Sequence, residues 1–556
     1  MVWRPEAPEG NEARKIRHLI VPFTRGTGLD LGCGPWKAWP HFIGVDNYDE
    51  WSGISGWAPD IRGDVLNLEM FADRSLDFIF SSHLLEHLPD PEAALREWWR
   101  VLKPGGRLVL YLPHADLYPR MGEPGSNPDH HSDFLPEDVV GLMQQVGKAW
   151  DLQVNLTRDG GDEYSFLQVY EKRKGTGQTV STRDPKGLFP HPDVRGSRVL
   201  VCRYGAFGDH IMASSVLPGL KEKYDQVVYC TVPTGEEVLR HDPNVDVFMI
   251  QDHDQVPNHE LSEFWQALMP EFDDFINLNE SVEGTLLTEA GRRTHALPKE
   301  ARHLLCNVNY VQFHHAIAGV PGPYAPKFHM AKDEQDRAEK FRAQHPDNPM
   351  IVWALSGSSQ HKVYPHSAEV ICWLLQKTDA WICLTGGPME QVLEAVIMQH
   401  ACKMFCDIPF EESHEMKLSE MVKKLKDHFG YRRVRTLSGQ VGIREAYSLA
   451  QFADVVVGPE TGLVNSVAMH ANIAKVVMLS HSSHENLTRD WEATTYVEPP
   501  NTLECYPCHR MHRNSDFCNI DQETFAAKCA SMIIPDVIFG AVVDRLNERK
   551  NNEKAA

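Results

Sequence analysis

The chain has 556 residues, enough at the usual size of roughly 100–200 residues per domain for about three domains. Apolar residues make up 42% of it and the formal net charge is −22, so several buried cores are available and broad tracking of a nucleic-acid backbone, which needs a basic face, is not expected. The one basic run, from Lys417 to Arg435, reads as the solvated face of a helix. No apolar run reaches the ~20 residues of a membrane span, and the N-terminal segment MVWRPEAPEGNEARK has no apolar signal region. A cytoplasmic protein is expected. Of the twelve cysteines, most lie inside apolar runs, as Cys202, Cys230 and Cys383 do, the pattern of reduced, buried thiols.

Residues 27–112 alternate strand-like runs (TGLDL, FIGVD, LDFIFSS, RLVLYLP) with helical stretches such as AALREWWRVL, the signature of parallel βαβ units. Two more strand-like runs, LQVNLTR and YSFLQVYEK, are expected to close that sheet as an antiparallel pair. Periodicity is then lost in a stretch rich in Gly, Pro, Ser and Thr, which reads as a linker. From Arg198 the alternation resumes with RVLVCRYG, a helix over HIMASSVLPGLKEKY, then QVVYCTVP, VDVFMI and DFINL. It begins a third time with MIVWALSG, followed by WICLTGG, DVVVGPE and AKVVMLS. The expected division is 1–173 for the first domain, 174–196 for the linker, 197–345 for a second and 346–556 for a third.

The first chemical signal is LDLGCGPW, Leu29 to Trp36. A strand carries Asp30 into Gly32 and Gly34, whose freedom lets backbone turn tightly beside a ligand. The dinucleotide fingerprint begins the same way, but Lys37 stands where its third glycine belongs. The acid closing the next strand, Asp46, comes only fourteen residues after Gly32 rather than about twenty. These residues, with RGDVLNL and SSHLLEHLPDPEAALREWWRVLKPGGRLVLYLP, resemble the class I S-adenosylmethionine-dependent methyltransferases over residues 26–173. The resemblance implies that Asp30, Gly32 and Gly34 surround the methionine part of the cofactor, that Asp46 holds the ribose, that Asp64 lies near the adenine, and that Ser81 stands on the cofactor side of the fourth strand. The sequence departs from the family in leaving little room for a first helix between Gly34 and Asp46. A hydroxyl acceptor needs a base, for which histidine is suited; His83, His114, His130 and His131 are the candidates, each of which also reads as a packing or surface residue. PDHHSDF, residues 128–134, carries ligand-type side chains, but Asp-His-His on a loop does not make a metal site, and no metal is assigned.

The second signal is RVLVCRYGAFGDHI, where a strand runs through Gly205 and Gly208 to Asp209 at a helix start. An acid there can be a simple cap. The segment through KEKY resembles the opening of glycosyltransferase family nine, the heptosyltransferase-like proteins of GT-B fold. The resemblance implies that Asp209 is the base that deprotonates an acceptor hydroxyl, with inversion at the sugar carbon and without a metal. SGSSQHKVYP implies Ser356, Ser358 and Lys362 as partners of the leaving diphosphate. LTGGPMEQ implies a glycine turn at Gly386. FADVVVGPETGLVNSVAMHANIAKVVMLS implies a donor-binding turn at Glu460, Thr461 and Gly462. Two departures stand out: Glu460 replaces an aspartate and Asn465 a frequent histidine.

ECYPCHRMHRNSDFC supplies Cys505, Cys508 and Cys518, and Cys-x-x-Cys is a genuine zinc spacing. With no evident fourth ligand, and a similar Cys-x-Pro-Cys segment in many heptosyltransferase-like sequences, a structural loop is preferred to zinc. The fold class expected is therefore α/β: a class I methyltransferase Rossmann-like sheet followed by a GT-B pair of Rossmann-like lobes. The function expected is glycan modification by two joined transferases, using S-adenosylmethionine and a nucleotide-sugar, ADP-heptose-like by the resemblance, on a glycan or glycoconjugate acceptor. Fusion would raise the local concentration of one product near the next site. Two other readings stay open: a binding or structural protein that kept both folds without catalysis, and a nucleic-acid-modifying enzyme, against which the net charge argues.

Overall fold

A computed structural model describes residues 11–47, 58–180, 196–252, 255–279, 293–511 and 518–555. The chain divides into two compact units, Met1–Leu200 with Asp246–Phe275, and Val201–Val245 with Ile276–Ala556. Among the described residues no helix is long and apolar enough to cross a membrane.

The first unit is built on β1 (Gly28–Leu31), β2 (Ile43–Asp46), β3 (Ile61–Arg62), β4 (Leu76–Ser82), β5 (Leu102–Pro113), β6 (Ala149–Arg158), β7 (Ser165–Lys172) and β8 (Gly177–Val180). They form one sheet in the order β3-β2-β1-β4-β5-β7-β6-β8. β1 pairs in parallel with both β2 and β4, so the order reverses between β1 and β4. Ligands of open α/β sheets sit outside the strand ends at such a reversal. The two strands expected within 151–173 do close the sheet, with β7 inserted antiparallel between β5 and β6. β8 pairs in parallel with β6, so the first part of the expected linker is a strand; residues 181–195 of that linker lie outside the described residues.

Every residue of β1 is buried, as a central parallel strand covered on both faces requires. Leu29 and Leu31 pack with Ile79, Leu108, Leu110 and Trp98. The amphipathic run at 93–102 forms the helix Pro91–Val101, started by Asp90, whose carboxylate accepts from the Ala93 amide at 2.9 Å. Trp98 faces inward and its indole N–H donates to the Val65 carbonyl at 2.8 Å. Residues 246–275, expected in a later domain, belong to this unit because their side chains bond into it. The Gln255 amide donates to the carbonyls of Val21 and Thr24, Arg158 bridges Glu163 and Glu271, and Phe264 packs edge-on against Trp39.

After β8 come β9 (Arg198–Cys202), β10 (Gln226–Thr231), β11 (Val247–Ile250) and β12 (Asp274–Asn277) in chain order, of which β11 belongs to the first unit and β10 to the second. Leu278 N donates to Cys202 O and Arg203 N to Cys230 O, so the ends of β12 and β10 flank the end of β9. The helix expected over 210–224 is broken into Phe207–Ala213, a short 3-10 turn, and Leu217–Lys223. Pro218 removes one amide donor, and the Ser214 hydroxyl bonds back to the Ile211 carbonyl. The second unit's larger sheet holds β13 (Met350–Ala354), β14 (Trp381–Thr385), β15 (Val434–Thr436), β16 (Val455–Pro459), β17 (Ala474–Met478) and β18 (Thr494–Val497), in the order β15-β14-β13-β16-β17-β18. All five pairings are parallel. β13, β14 and β16 are buried throughout, and the terminal helix Pro535–Ala555 adds Ile538, Val542 and Leu546 to their core. The helix Leu418–Phe429 exposes Lys423, Lys424 and Lys426 and buries Met421 and Leu425, the solvated face expected of that basic run. The mixed α/β architecture with parallel-rich sheets is the one that the alternation of strand and helix signals implied.

Candidate functional sites

β1 runs into Gly32 (φ +65°) and Gly34 (φ +50°), both in the left-handed region. Gly32 N donates to Val45 O at 2.9 Å, which carries the strand pairing into the turn. A Cβ on Gly32 would meet Leu84 at 2.7 Å, whereas one on Gly34 would meet nothing within 4 Å. Gly34 therefore faces open space at the carboxyl ends of the central strands. Asp46, closing β2, accepts from Gly34 N at 2.9 Å and so stands at the same rim.

Asp30 turns the other way. It is 2% exposed, and its carboxylate accepts from Ala38 N at 2.7 Å; burial pushes its pKa up to about 7 despite that bond. Lys37 explains the missing first helix. Its ammonium donates to the carbonyls of Pro40 and Phe42 and to Asp60 at 2.8 Å, and Asp60 accepts from Gly44 N at 2.8 Å. Residues 33–42 are thereby held as a series of turns rather than a helix. Asp64 is exposed and its carboxylate accepts from Leu66 N, capping a turn.

At the end of β4, Ser81 is fully buried, and among the described residues the hydroxyls of Ser81 and Ser82 have no hydrogen-bond partner. The four candidate histidines fare differently. His83 (φ +48°) meets the Ser165 hydroxyl through Nε2 at 2.9 Å, and burial pushes its pKa down to about 3, which makes it a poor match for a base working near neutrality. His114 Nδ1 accepts from Asp116 N. His131 is exposed; its backbone amide, not its ring, reaches inward to the Glu86 carbonyl at 2.7 Å. His130 packs edge-on against His87, their ring centroids 4.7 Å apart. Glu86 itself, not singled out from sequence, is 1% exposed, neither carboxylate oxygen accepts a hydrogen bond from another of the described residues, and burial pushes its pKa up to about 8. The signal that points to it is the spacing His83-x-x-Glu86-His87.

The second site lies where the helix Phe207–Ala213 meets the turn after β16. The Asp209 carboxylate accepts from Ala206 N at 2.8 Å, the capping role, and also meets the buried Arg203 guanidinium at 3.1 Å. A Cβ on Gly205 (φ +130°) would strike that carboxylate at 2.6 Å. Gly208 and Gly462 approach backbone to backbone: a Cβ on Gly462 would lie 3.0 Å from Gly208 N. The Tyr447 hydroxyl, buried and without a hydrogen-bond partner among the described residues, is packed against the same glycine. Lys362 is half-buried and no carboxylate lies within ion-pairing distance of it among the described residues. Burial pushes its pKa down, while Glu460 and Asp209 act in the opposite direction.

Glu460 does not project from its turn as a donor contact would. It is 5% exposed, and Oε1 accepts from the amides of Ser480 (2.8 Å) and Ser482 (3.1 Å) while Oε2 pairs with His481. Burial alone would raise its pKa, but His481, Lys362 and the Ser480 amide outweigh it and the net shift is down. His481 Nδ1 in turn meets His361 Nε2 at 2.9 Å, and His361 Nδ1 meets the Ser359 hydroxyl at 2.8 Å. This buried chain was not read from sequence, because its members come from two separate segments. Ser356 bonds Glu390 at 2.7 Å, Ser358 is exposed, and Thr461 and Gly462 are both half-buried at the turn. Gly386 is required by packing, since a Cβ there would meet Glu390 at 2.5 Å. Cys505, Cys518 and Cys529 gather in one small apolar cluster with Leu503, while Cys508 Sγ lies 3.9 Å from the Arg510 carbonyl and burial pushes its pKa up to about 12. Residues 512–517 of that segment lie outside the described residues.

Residues 29–110 match the family described as a methyltransferase domain. A demethylmenaquinone methyltransferase of Streptomyces griseus is 44% identical over 126 residues, covering 18% of this chain and 54% of that protein. The chain spans about half the length of the curated relatives it matches. Among solved structures, the E. coli ADP-heptose lipopolysaccharide heptosyltransferase II is similar at 14% identity with a TM-score of 0.41, over 64% of this chain and 99% of that one. A glycosyl transferase family 9 protein of Veillonella parvula is similar at 12% identity with a TM-score of 0.44, over 63% and 98%.

Proposed function

We propose that this chain joins two group transfers: methylation of a sugar hydroxyl with S-adenosylmethionine in its first unit, and inverting transfer of a sugar from a nucleotide-sugar in its second. For the first, the supporting observation is the open space at Gly34 beside Asp46 and a Ser81 hydroxyl without a hydrogen-bond partner among the described residues, all at the carboxyl ends of β1, β2 and β4. Those residues fit the cofactor: the Gly32–Gly34 turn around its methionine part, Asp46 on the ribose hydroxyls, Asp64 toward the adenine. When bound, S-adenosylmethionine supplies an electrophilic methyl group. The chain's own part is to orient it and to exclude water.

For the second, what carries the reading is that Lys362 lies close enough to Asp209 and Glu460 to feel the charge of both, with Gly208 and Gly462 approaching backbone to backbone beside Asp209. Asp209 is held by Arg203 and Ala206 N with one edge still accessible, as a base receiving an acceptor proton needs. Lys362 is a cation without an ion-pair partner among the described residues, suited to a departing diphosphate. Glu460 orders this site through the Ser480 and Ser482 amides and His481 rather than by touching the donor. The Cys505–Cys508–Cys518 loop is assigned a structural role. The nucleotide-sugar, the glycan acceptor and a cytoplasmic location belong to this same proposal.

Thermal unfolding of the whole chain tests it, with S-adenosylmethionine, S-adenosylhomocysteine, ADP, UDP, GDP and CDP as ligands, since a ligand that binds only the folded state raises its apparent stability. Stabilisation by an adenosyl ligand that Asp46→Ala weakens, and by one nucleoside diphosphate that Lys362→Met weakens, is the expected result. Indifference to all six ligands refutes the proposal.

A further inference from the structure

Glu86, His87 and His130 are brought together by two segments. After β4 the chain turns through His83 into the 3-10 turn Leu85–His87. A later loop returns over it, with the amides of His131 and Ser132 both donating to the Glu86 carbonyl, at 2.7 and 3.2 Å. One ligand-type atom from each of Glu86, His87 and His130 lies within 4.8 Å of the other two.

The chemistry of the three side chains is left incomplete by the fold. Buried polar groups are almost always hydrogen-bonded, and an unpaired buried carboxylate is costly; yet Glu86 is 1% exposed and neither of its oxygens accepts a hydrogen bond from another of the described residues. His87 Nδ1 lies 3.1 Å from the Asp129 carbonyl, so that nitrogen carries the proton and Nε2, 4.0 Å from Glu86 Oε1, presents its lone pair. A backbone carbonyl fixing one imidazole nitrogen while the other is left free is the second-sphere arrangement of metal-ligating histidines. His83 adds another nitrogen, with Nδ1 at 3.8 Å from the same carboxylate oxygen and Nε2 held by Ser165.

We propose that Glu86, His87 and His130, with His83 as a further nitrogen donor, form a binding site for one divalent transition-metal cation. Imidazole and carboxylate ligands without thiolate suit zinc or ferrous iron rather than magnesium or calcium. A site with three or four protein donors can leave a coordination position open. The site adjoins Ser81 and Ser82 in the chain. If the methyltransferase reading holds, on which this one clause rests, the open position receives an acceptor oxygen, the role a Lewis acid plays in polarising a substrate.

The test is titration of the full chain, stripped with a chelator, with Zn²⁺ and separately with Co²⁺, followed by calorimetry and by the visible absorption of bound cobalt. One equivalent is expected to bind with no thiolate-to-cobalt charge-transfer band. His130→Ala, on a half-buried loop, and Glu86→Gln should each weaken binding by about tenfold or more, while Cys508→Ser leaves it unchanged. S-adenosylmethionine binding and circular dichroism are recorded for each variant. Variants that keep a native spectrum and lose cobalt support the site. Cobalt bound as tightly to both variants as to the parent chain overturns it, and so does a thiolate band abolished by Cys508→Ser. Cobalt binding by a parent chain that takes no S-adenosylmethionine would leave the metal site standing and remove the methyltransferase reading.

Discussion

Asp30→Asn isolates the energetic consequence of placing a carboxylate inside the central strand of the first sheet. Burial raises the pKa of Asp30 from 3.8 to about 7, so the folded state holds its proton more tightly than the unfolded chain does. Below about pH 4 both states are protonated and the group is neutral to stability. As pH rises through the window between the two pKa values the unfolded state ionises first, stability falls, and above pH 7 the loss is complete. At about 1.4 kcal/mol per pKa unit the full loss is about 4 kcal/mol, of which about 3 kcal/mol accrues between pH 5 and pH 8. The substituted amide cannot ionise, yet its side-chain oxygen can still accept from Ala38 N, so the turn replacing the first helix is preserved. Hydrogen exchange of the amides of β1 and β4 in the full chain, corrected for intrinsic rates, reports the stability of this unit alone. The variant should gain on the parent chain by about 3 kcal/mol on going from pH 5 to pH 8. Parallel pH dependence in the two proteins, or a parent chain that gains on the variant, would show that Asp30 is not held as the burial argument requires.

Three further expectations concern other elements. Gly462→Ala places a methyl group against Gly208 N and the Tyr447 hydroxyl; overpacking of this kind costs about 1–3 kcal/mol, so the second unit's melting temperature should fall, and Tyr447→Phe in the same chain should restore part of it. Asp209→Asn should lower sugar transfer by about 100-fold or more with nucleoside diphosphate affinity unchanged by calorimetry; equal loss of both would mean that Asp209 serves the turn rather than the chemistry. Glu460 has its pKa depressed, so its stabilising effect is present above the ordinary glutamate range and lost as pH falls through the folded-state value; acid unfolding of Glu460→Gln, compared with the parent, should show a shallower loss over that limb.

Much of the fold was legible because hydrophobic period and turn chemistry are local properties. The buried runs GLDL, LDFIFSS, MIVWA and VVVGP could only be central strands, and the Asp90-Pro91 start with inward Trp98 could only be a helix against them. Gly32, Gly34 and Asp46 were legible as a turn at the strand ends because glycines suited to left-handed backbone and a strand-ending acid are written in the sequence. Direction of side chains was not. Asp30 and Glu460 look like ligand contacts in the sequence, but each carboxylate turns inward to backbone amides, Ala38 for one and Ser480 and Ser482 for the other, because buried amides left unpaired by short turns attract the nearest acceptor. The place of residues 246–275 in the first unit could not be read from their strand and helix signals, since what decides it is Gln255 reaching Val21 and Thr24 across more than two hundred residues. The same holds for Glu86, His87 and His130. The sequence supplies the side chains, and their convergence depends on a loop folding back onto the Glu86 carbonyl, a contact between segments that no local pattern encodes.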